Sequence, residues 1–197
     1  MPDPGRGYHA RMAAFDSVVL TTQRLSLRPL RPDDAPALLA ICSDPQVMRY
    51  WSSPPWEAIG QAEALIARDR EAMASGQYLR LGIERDGGLI GYCTLFQLDA
   101  QNRRAELGYV LAAAAWSQGY MREALRALLD YGFGALDLHR IEADTDPRNR
   151  ASVRCLERLG FVREGLLRER WIVAGEVSDT ALYGLLRQDW RARAAPG

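Results

Sequence analysis

The stretch from Arg104 to Tyr131, RAELGYVLAAAAWSQGYMREALRALLDY, sets the tightest limit on how this chain folds. From Arg104 to Leu111 the residues alternate. Ala105, Leu107, Tyr109 and Leu111 share one face, and Arg104, Glu106, Gly108 and Val110 the other, as in a strand. After a small-residue connector, Trp116-Ser117-Gln118-Gly119-Tyr120 opens a segment in which Met121, Ala124, Leu125, Leu128 and Leu129 recur at helical spacing. Gly119 therefore stands where a strand hands over to a helix N-terminus. Such a junction offers free backbone N–H groups to a phosphate, although many such turns hold a glycine only because the chain must bend. No Gly-x-Gly-x-x-Gly occurs and no Gly-Lys-Ser/Thr follows, so neither a dinucleotide fingerprint nor a P-loop is present.

The rest of the chain supplies a mixed sheet. Val18 to Leu30 alternates as a strand. Asp33 and Asp34 start a short helix through Leu38, Ile41 and Cys42, which ends near Asp44-Pro45. An aromatic, proline-rich loop holding Tyr50, Trp51 and Trp56 is either anchored by buried rings or forms one wall of a substrate pocket. Trp56 to Met73 has an amphipathic period. Tyr78 to Glu84 and Leu89 to Leu98 form a hairpin across Asp86-Gly87-Gly88. Beyond Leu136, His139 to Thr145 reads as a strand parallel to 104–111, because a helix separates the two. Asn149 suits the cap of a helix reaching Leu159, and a last hairpin covers 161–186. The expected class is α/β.

With Lys+Arg 25 against Asp+Glu 25 the chain carries no net charge, which removes the general argument for nucleic-acid or membrane binding. Cys42, Cys93 and Cys155 lack metal-ligand spacing and read as reduced thiols; with two histidines no metal site is expected. MPDPGRGYHARMAAFDS contains no apolar run of signal-peptide length, and a cytoplasmic protein is expected. Residues 1–17 and 191–197 are expected to be loose, around one domain spanning 18–190.

Four pieces in this order, TTQRLSLRPLRPDDAPAL, AELGYVL, WSQGYMREAL and DPRNRASVRCLERLGFVREG, resemble the GNAT superfamily of acetyl-CoA-dependent N-acetyltransferases. They are most similar to its ribosomal-protein N-terminal acetyltransferase branch. The resemblance runs from about Thr21 to Trp190. It implies a mostly antiparallel seven-stranded sheet with about four helices, and a central parallel pair splayed around acyl-CoA. The family's acyl-CoA loop, [QR]-x-x-G-x-[GA], falls on Trp116 to Met121; Gly119 matches, whereas Trp116 and Met121 depart from it. The resemblance implies that the amides of Gln118, Gly119, Tyr120, Met121 and Arg122 cradle the pyrophosphate. It further implies that the main chain of Tyr109, Val110 and Leu111, together with Asn149, holds the pantetheine arm.

Attack of an amine on a thioester needs a base for the ammonium, donors for the oxyanion and an acid for the thiolate. An α-amine with a pKa of about 7.7 to 8.0 needs only a weak base. Glu106 is the candidate base; its alternative is a surface carboxylate paired with Arg103 or Arg104. The Leu111 N–H is the candidate oxyanion donor. The tyrosine acid of many family members is replaced by Leu156, and by resemblance Ser152 returns the proton. The expected reaction is acetyl transfer to a primary amine, either a protein N-terminus or a small molecule. A non-catalytic acyl-CoA-binding module is the alternative, and a homodimer through the C-terminal hairpin with Trp171 or Trp190 is a further expectation.

Overall fold

The computed structural model describes residues 14–194. One sheet of eight strands runs in the order β1-β2-β3-β4-β5-β6-β8-β7. The strands are β1 (Leu20–Thr21), β2 (Ser26–Arg28), β3 (Leu79–Arg85), β4 (Gly88–Asp99), β5 (Arg104–Leu111), β6 (Arg140–Thr145), β7 (Val162–Val173) and β8 (Glu176–Leu186). All neighbours are antiparallel except β5 and β6, which pair in parallel from Arg104↔Arg140 to Leu107↔Ala143.

The strand expected over 18–30 is instead two strands joined by a tight turn, which raises the expected seven strands to eight. The Thr22 hydroxyl accepts from the Leu25 N–H at 3.0 Å, and the Thr22 N–H donates to the Leu25 carbonyl, closing the turn.

The helices are α1 (Ala35–Cys42), α2 (Pro45–Met48), α3 (Ile59–Ala74), α4 (Tyr120–Gly134), α5 (Arg150–Leu159) and α6 (Arg187–Ala194). Two of them exceed the expected four. α2 is a single turn capped by Asp44, whose carboxylate accepts from the Gln46 N–H at 2.8 Å. α6 continues through residues expected to be loose. Of the N-terminal segment expected to be loose, Phe15 is fully buried and donates its N–H to the Met73 carbonyl; residues 1–13, like 195–197, lie outside the described residues.

The sheet separates two apolar clusters. On one face Leu27, Leu81, Leu95, Leu107, Ile141 and Leu185 meet Leu125, Leu128 and Leu129 of α4 and Leu156 and Leu159 of α5. On the other, Tyr92 and Val110 pack against α1, α2 and α3. The alternation of β5 thus places Leu107 and Val110 in different cores, as the period of two requires. Trp190, one of the two tryptophans expected at a dimer contact, is buried, packs on Phe133 and donates its indole N–H to Asp130. Trp171 stays partly exposed, on the edge strand.

Candidate active site

The parallel ladder stops at Leu107↔Ala143, although β5 continues to Leu111 and β6 to Thr145. The two strands therefore part and leave a gap along the second half of β5. The Ala112 N–H donates to Ile90 on β4 at 2.8 Å. By the alternation of an antiparallel ladder, the main chain of Val110 then faces Tyr92 on β4, and that of Tyr109 and Leu111 faces the gap. Val110 thus lines the site with its side chain rather than its peptide groups, a correction to the sequence expectation. The Leu111 carbonyl accepts the Trp116 indole N–H at 2.8 Å, and its N–H stays directed to the gap.

The turn after β5 delivers α4 to the mouth of this gap. Gly119 has φ +81° and ψ 0°, a left-handed conformation that glycine adopts without cost to a Cβ. The first helical bond runs from the Glu123 N–H to the Gly119 carbonyl, so the N–H groups of Tyr120, Met121 and Arg122 precede the ladder and are free for an anion. Glu123 would oppose an anion there. Its carboxylate is instead occupied by the Thr22 hydroxyl (2.6 Å), the Arg24 N–H (2.9 Å) and the Arg24 guanidinium (2.6 Å). Burial alone would raise the Glu123 pKa, but those donors hold it below the usual carboxylate range. The same Arg24 donates to the Gln118 carbonyl at 3.1 Å and lies over the Tyr120 ring. The Gln118 side chain donates to the Ala114 carbonyl at 3.0 Å, and Gln118, its backbone N–H expected in the cradle, is not among the residues that line the cleft.

A cleft of about 970 Å³ runs from this turn along β5 to the start of α5, lined by Leu111, Gly119, Met121, Asn149, Ser152 and Cys155 among others. Asn149 caps α5, its side-chain oxygen accepting from the Ser152 N–H at 3.1 Å. Its amide NH₂ has no acceptor among the described residues and is available to the cleft. The Ser152 hydroxyl lies 2.7 Å from the Tyr109 hydroxyl. Burial, named first, pushes the Tyr109 phenol well above its ordinary value, so it stays protonated and can donate.

A smaller cavity of about 170 Å³ lies beyond and is lined by Gly108, Asp144, Asp146, Trp171, Ser178 and Thr180. Tyr50, Trp51, Tyr109, Asn149 and Ser152 line both cavities, so the two meet at these residues. Of the aromatic loop, Tyr50 and Trp51 reach this junction. Trp56 packs instead against the cluster under α1, its N–H bonded to the Cys42 carbonyl.

Glu106 lies on the sheet face it shares with Val110, opposite Glu142 in the parallel register. Arg104 pairs with Glu142 at 2.6 Å and Arg103 with Asp137 at 2.9 Å, and Glu106 has no ion pair among the described residues. Burial first, and then the charges of Asp144 and Glu142, raise its pKa. It lines neither cavity, whereas Asp144, two residues after Glu142 on the same face, lines the smaller one. Crowding by its surroundings raises the Asp144 pKa although its edge is open to solvent. Sequence reasoning missed Asp144; in a six-residue strand only the alternation of Glu142 and Asp144 against Ile141 and Ala143 hinted at its face.

Burial lifts the thiols of Cys42 and Cys155 to about 11 and that of Cys93 to about 12, which leaves all three un-ionised near neutrality. Cys42 and Cys93 sit in the cores; Cys155 borders the cleft.

Residues 24–162 match the model of the acetyltransferase (GNAT) domain. The chain belongs to the GNAT acetyltransferase family. It is 36% identical over 173 residues to an uncharacterised N-acetyltransferase, p20, of Bacillus licheniformis, covering 87% of this chain and 97% of that protein. Mycobacterium smegmatis RimJ in complex with CoA-disulfide superposes with a TM-score of 0.82 at 28% identity, covering 94% of this chain and 93% of RimJ. The Vibrio cholerae spermidine N-acetyltransferase in complex with CoA and spermine gives 0.77 at 26% identity, covering 86% and 99%. This GNAT domain is thus an acetyltransferase that uses acetyl-CoA as co-substrate, and the Tyr109 peptide, the Leu111 N–H and the N–H groups of Tyr120 to Arg122 fit that molecule's amide-bearing arm and its phosphates. No group of side chains suited to hold a metal ion occurs among the described residues, and no described helix is long and apolar enough to cross a membrane.

Proposed function

We propose that the protein transfers the acetyl group of acetyl-CoA directly to a primary amine within a ternary complex. The acceptor is a protein N-terminal amine or a small-molecule amine. The observation that carries this reading is the meeting of the two cavities at Tyr109, Asn149 and Ser152: a long cleft for the donor opens onto a small pocket lined by two carboxylates, Asp144 and the Arg148-paired Asp146, and two tryptophans. A pocket so walled suits the apolar body and the cationic head of an amine.

In this reading the acceptor ammonium loses its proton, through water, to the coupled carboxylates Glu106 and Asp144, and the freed nitrogen attacks the acetyl carbonyl carbon. The Leu111 N–H stabilises the oxyanion. As the carbon–sulfur bond breaks, the Ser152 hydroxyl gives its proton to the departing thiolate and is reprotonated through the Tyr109 hydroxyl and water, the proton released by the attacking nitrogen as it becomes the neutral amide closing the balance. The covalent alternative through Cys155 is disfavoured because its thiol is held protonated.

The test is purified protein with acetyl-CoA and a panel of spermidine, spermine, amino acids and short peptides with free N-termini, followed by thiol release. Acceptor-dependent release, lost in Glu106→Gln or Ser152→Ala, supports the reading. Tight CoA binding with no release for any acceptor would instead establish a non-catalytic acyl-CoA module.

A further inference from the structure

A run of polar and aromatic side chains crosses the sheet face that carries α1 and α3, and it ends where the two cavities meet. Arg80 on β3 stands opposite Thr94 on β4, and Tyr92 on β4 stands opposite Val110, which lines the donor cleft. The Arg80 Nη1 donates to both oxygens of the Asp69 carboxylate on α3, at 2.9 and 3.0 Å, and its Nε donates to the Thr94 hydroxyl at 3.0 Å. The Tyr78 hydroxyl donates to the same carboxylate. Asp69 and Thr94 are both buried, so water does not compete for these bonds. With Nε and Nη1 both held, the plane of the guanidinium is fixed. Its carbon lies 4.8 Å from the centre of the Tyr92 ring, and that ring meets Trp51 edge to face with centroids 6.3 Å apart.

Trp51 needs such an anchor. Residues 51–58 form neither helix nor strand, and the bond from the Trp56 N–H to the Cys42 carbonyl ties the far end of this segment to α1. Trp51 lines both cavities, so a shift of its ring changes the space left for an acceptor. A buried ion pair stabilises a fold little more than well-packed apolar residues would, because desolvation offsets its attraction. What this one supplies is orientation: a guanidinium held in one plane over Tyr92 gives that ring, and through it Trp51, one place to sit. The buried pair of Arg28 and Asp34 differs in this respect. It bonds to Pro29, Arg31 and Glu84, none of which lines either cavity.

We propose that Arg80 is a positioning residue for the acceptor side of the site: held by Asp69 and Thr94, it fixes the Tyr92 ring, and Tyr92 sets the place of Trp51 at the junction of the cavities. The inference rests on the reading of the smaller cavity as the acceptor pocket and adds to it the device that shapes one wall. Arg80 touches neither substrate and acts through two aromatic rings.

The test uses the full chain with Arg80→Met, Arg80→Lys and Tyr92→Leu, each also made together with Trp51→Phe. Thiol release with spermidine and with a short peptide bearing a free N-terminus gives KM and kcat, and calorimetry gives the affinity for CoA. Arg80→Met is expected to raise the acceptor KM about 5- to 10-fold, the scale of one cation–aromatic contact, with kcat and CoA affinity changed less than about twofold. Arg80→Lys, which keeps the cation, should recover part of the loss. Tyr92→Leu cuts the link while leaving the ion pair in place, so it should match Arg80→Met even if that variant folds poorly. Combined with Trp51→Phe, neither should raise KM further. The near-ultraviolet circular dichroism of Trp51, taken as the difference made by Trp51→Phe, should shrink in Arg80→Met and Tyr92→Leu. A Trp51 signal unchanged by Arg80→Met would overturn the proposal, as would equal effects on KM with and without Trp51, or CoA affinity lost in step with KM. Absence of thiol release by wild type with every amine would overturn the acceptor-pocket reading, and the Trp51 signal would still decide whether Arg80 positions that ring.

Discussion

The hydroxyls of Tyr109 on β5 and Ser152 on α5 lie 2.7 Å apart, a contact made between residues 43 positions apart at the point where the two cavities meet. Resemblance assigns Ser152 the return of a proton to the thiolate; the geometry adds a partner that can support it. A serine hydroxyl is a weak acid, and a neighbouring phenol that stays protonated can donate to its oxygen as its proton leaves. Ser152→Ala and Tyr109→Phe are each expected to lower kcat by about a hundredfold, with KM for acetyl-CoA changed much less. Because the two hydroxyls act as one unit, the double variant should be little slower than either single variant, which steady-state kinetics on all three will show. Additive losses would mean that the two act independently.

The acid limb of the kcat/KM profile should report Glu106 and Asp144 together. Both pKa values are raised, that of Glu106 by burial first and by the charge of Asp144 second, and that of Asp144, although its edge is open to solvent, by the desolvation its surroundings impose. The base must be ionised to work, so the limb should lie above the ordinary carboxylate range. Asp144→Asn removes a like charge and should move the limb to lower pH. The stability sign is the opposite of a paired carboxylate's. With folded pKa values above the unfolded ones, the folded state binds protons more tightly, and stability falls as pH rises through the folded values. Glu106→Gln should therefore be neutral or stabilising near pH 7 in thermal melts, while costing about 10- to 100-fold in kcat/KM.

Much of this could be read from the chain, and the omissions share a cause. Strand, glycine turn and long helix were legible because β5 and α4 each carry enough residues to show their period. Asn149 was legible as a cap because its side chain acts on a neighbour three positions away. The turn that splits β1 from β2 was not, since one threonine hydroxyl closes it inside an otherwise strand-like run. α2 is a single turn and has no period to detect. What remained hidden at the site was long-range: the Tyr109–Ser152 contact, the turning of Gln118 toward Ala114 and Arg24, and the place of Asp144 in the smaller cavity all depend on which elements the sheet brings together.

The pair formed by Arg28 and Asp34 offers a test away from the chemistry. Two guanidinium N–H groups reach the carboxylate at 2.7 and 2.9 Å, both residues are buried, and Glu84 accepts from the same arginine at 2.6 Å. Burial on its own raises the Asp34 pKa, but the bonds from Arg28 and the Arg31 N–H outweigh it and the net direction is down. Asp34→Asn leaves a buried guanidinium partly uncompensated and should cost about 3 kcal/mol in urea unfolding at pH 7. The depressed pKa fixes the window. The wild-type advantage is full above the unfolded value of about 4 and shrinks as pH falls through the folded value. A gap that stays constant down to low pH would show that the loss is one of packing and not of charge.

Gly119 permits a separation of backbone strain from steric exclusion. A Cβ built there would come no closer than 3.5 Å to the end of the Arg24 side chain, an ordinary contact, so the space for a methyl group exists. The φ of +81° is what an L-residue resists. Gly119→Ala should therefore destabilise the fold by about 1 to 2 kcal/mol, and relief of that strain would rotate the amides of Tyr120 to Arg122 away from the cleft. Gly119→Asn should cost less, because asparagine tolerates the left-handed region better than alanine does. Melting temperature and KM for acetyl-CoA, measured on both variants, are expected to rank wild type, Asn, Ala in that order. If Asn proved as costly as Ala, the glycine would be required for close approach of the ligand to the backbone, and not for its φ.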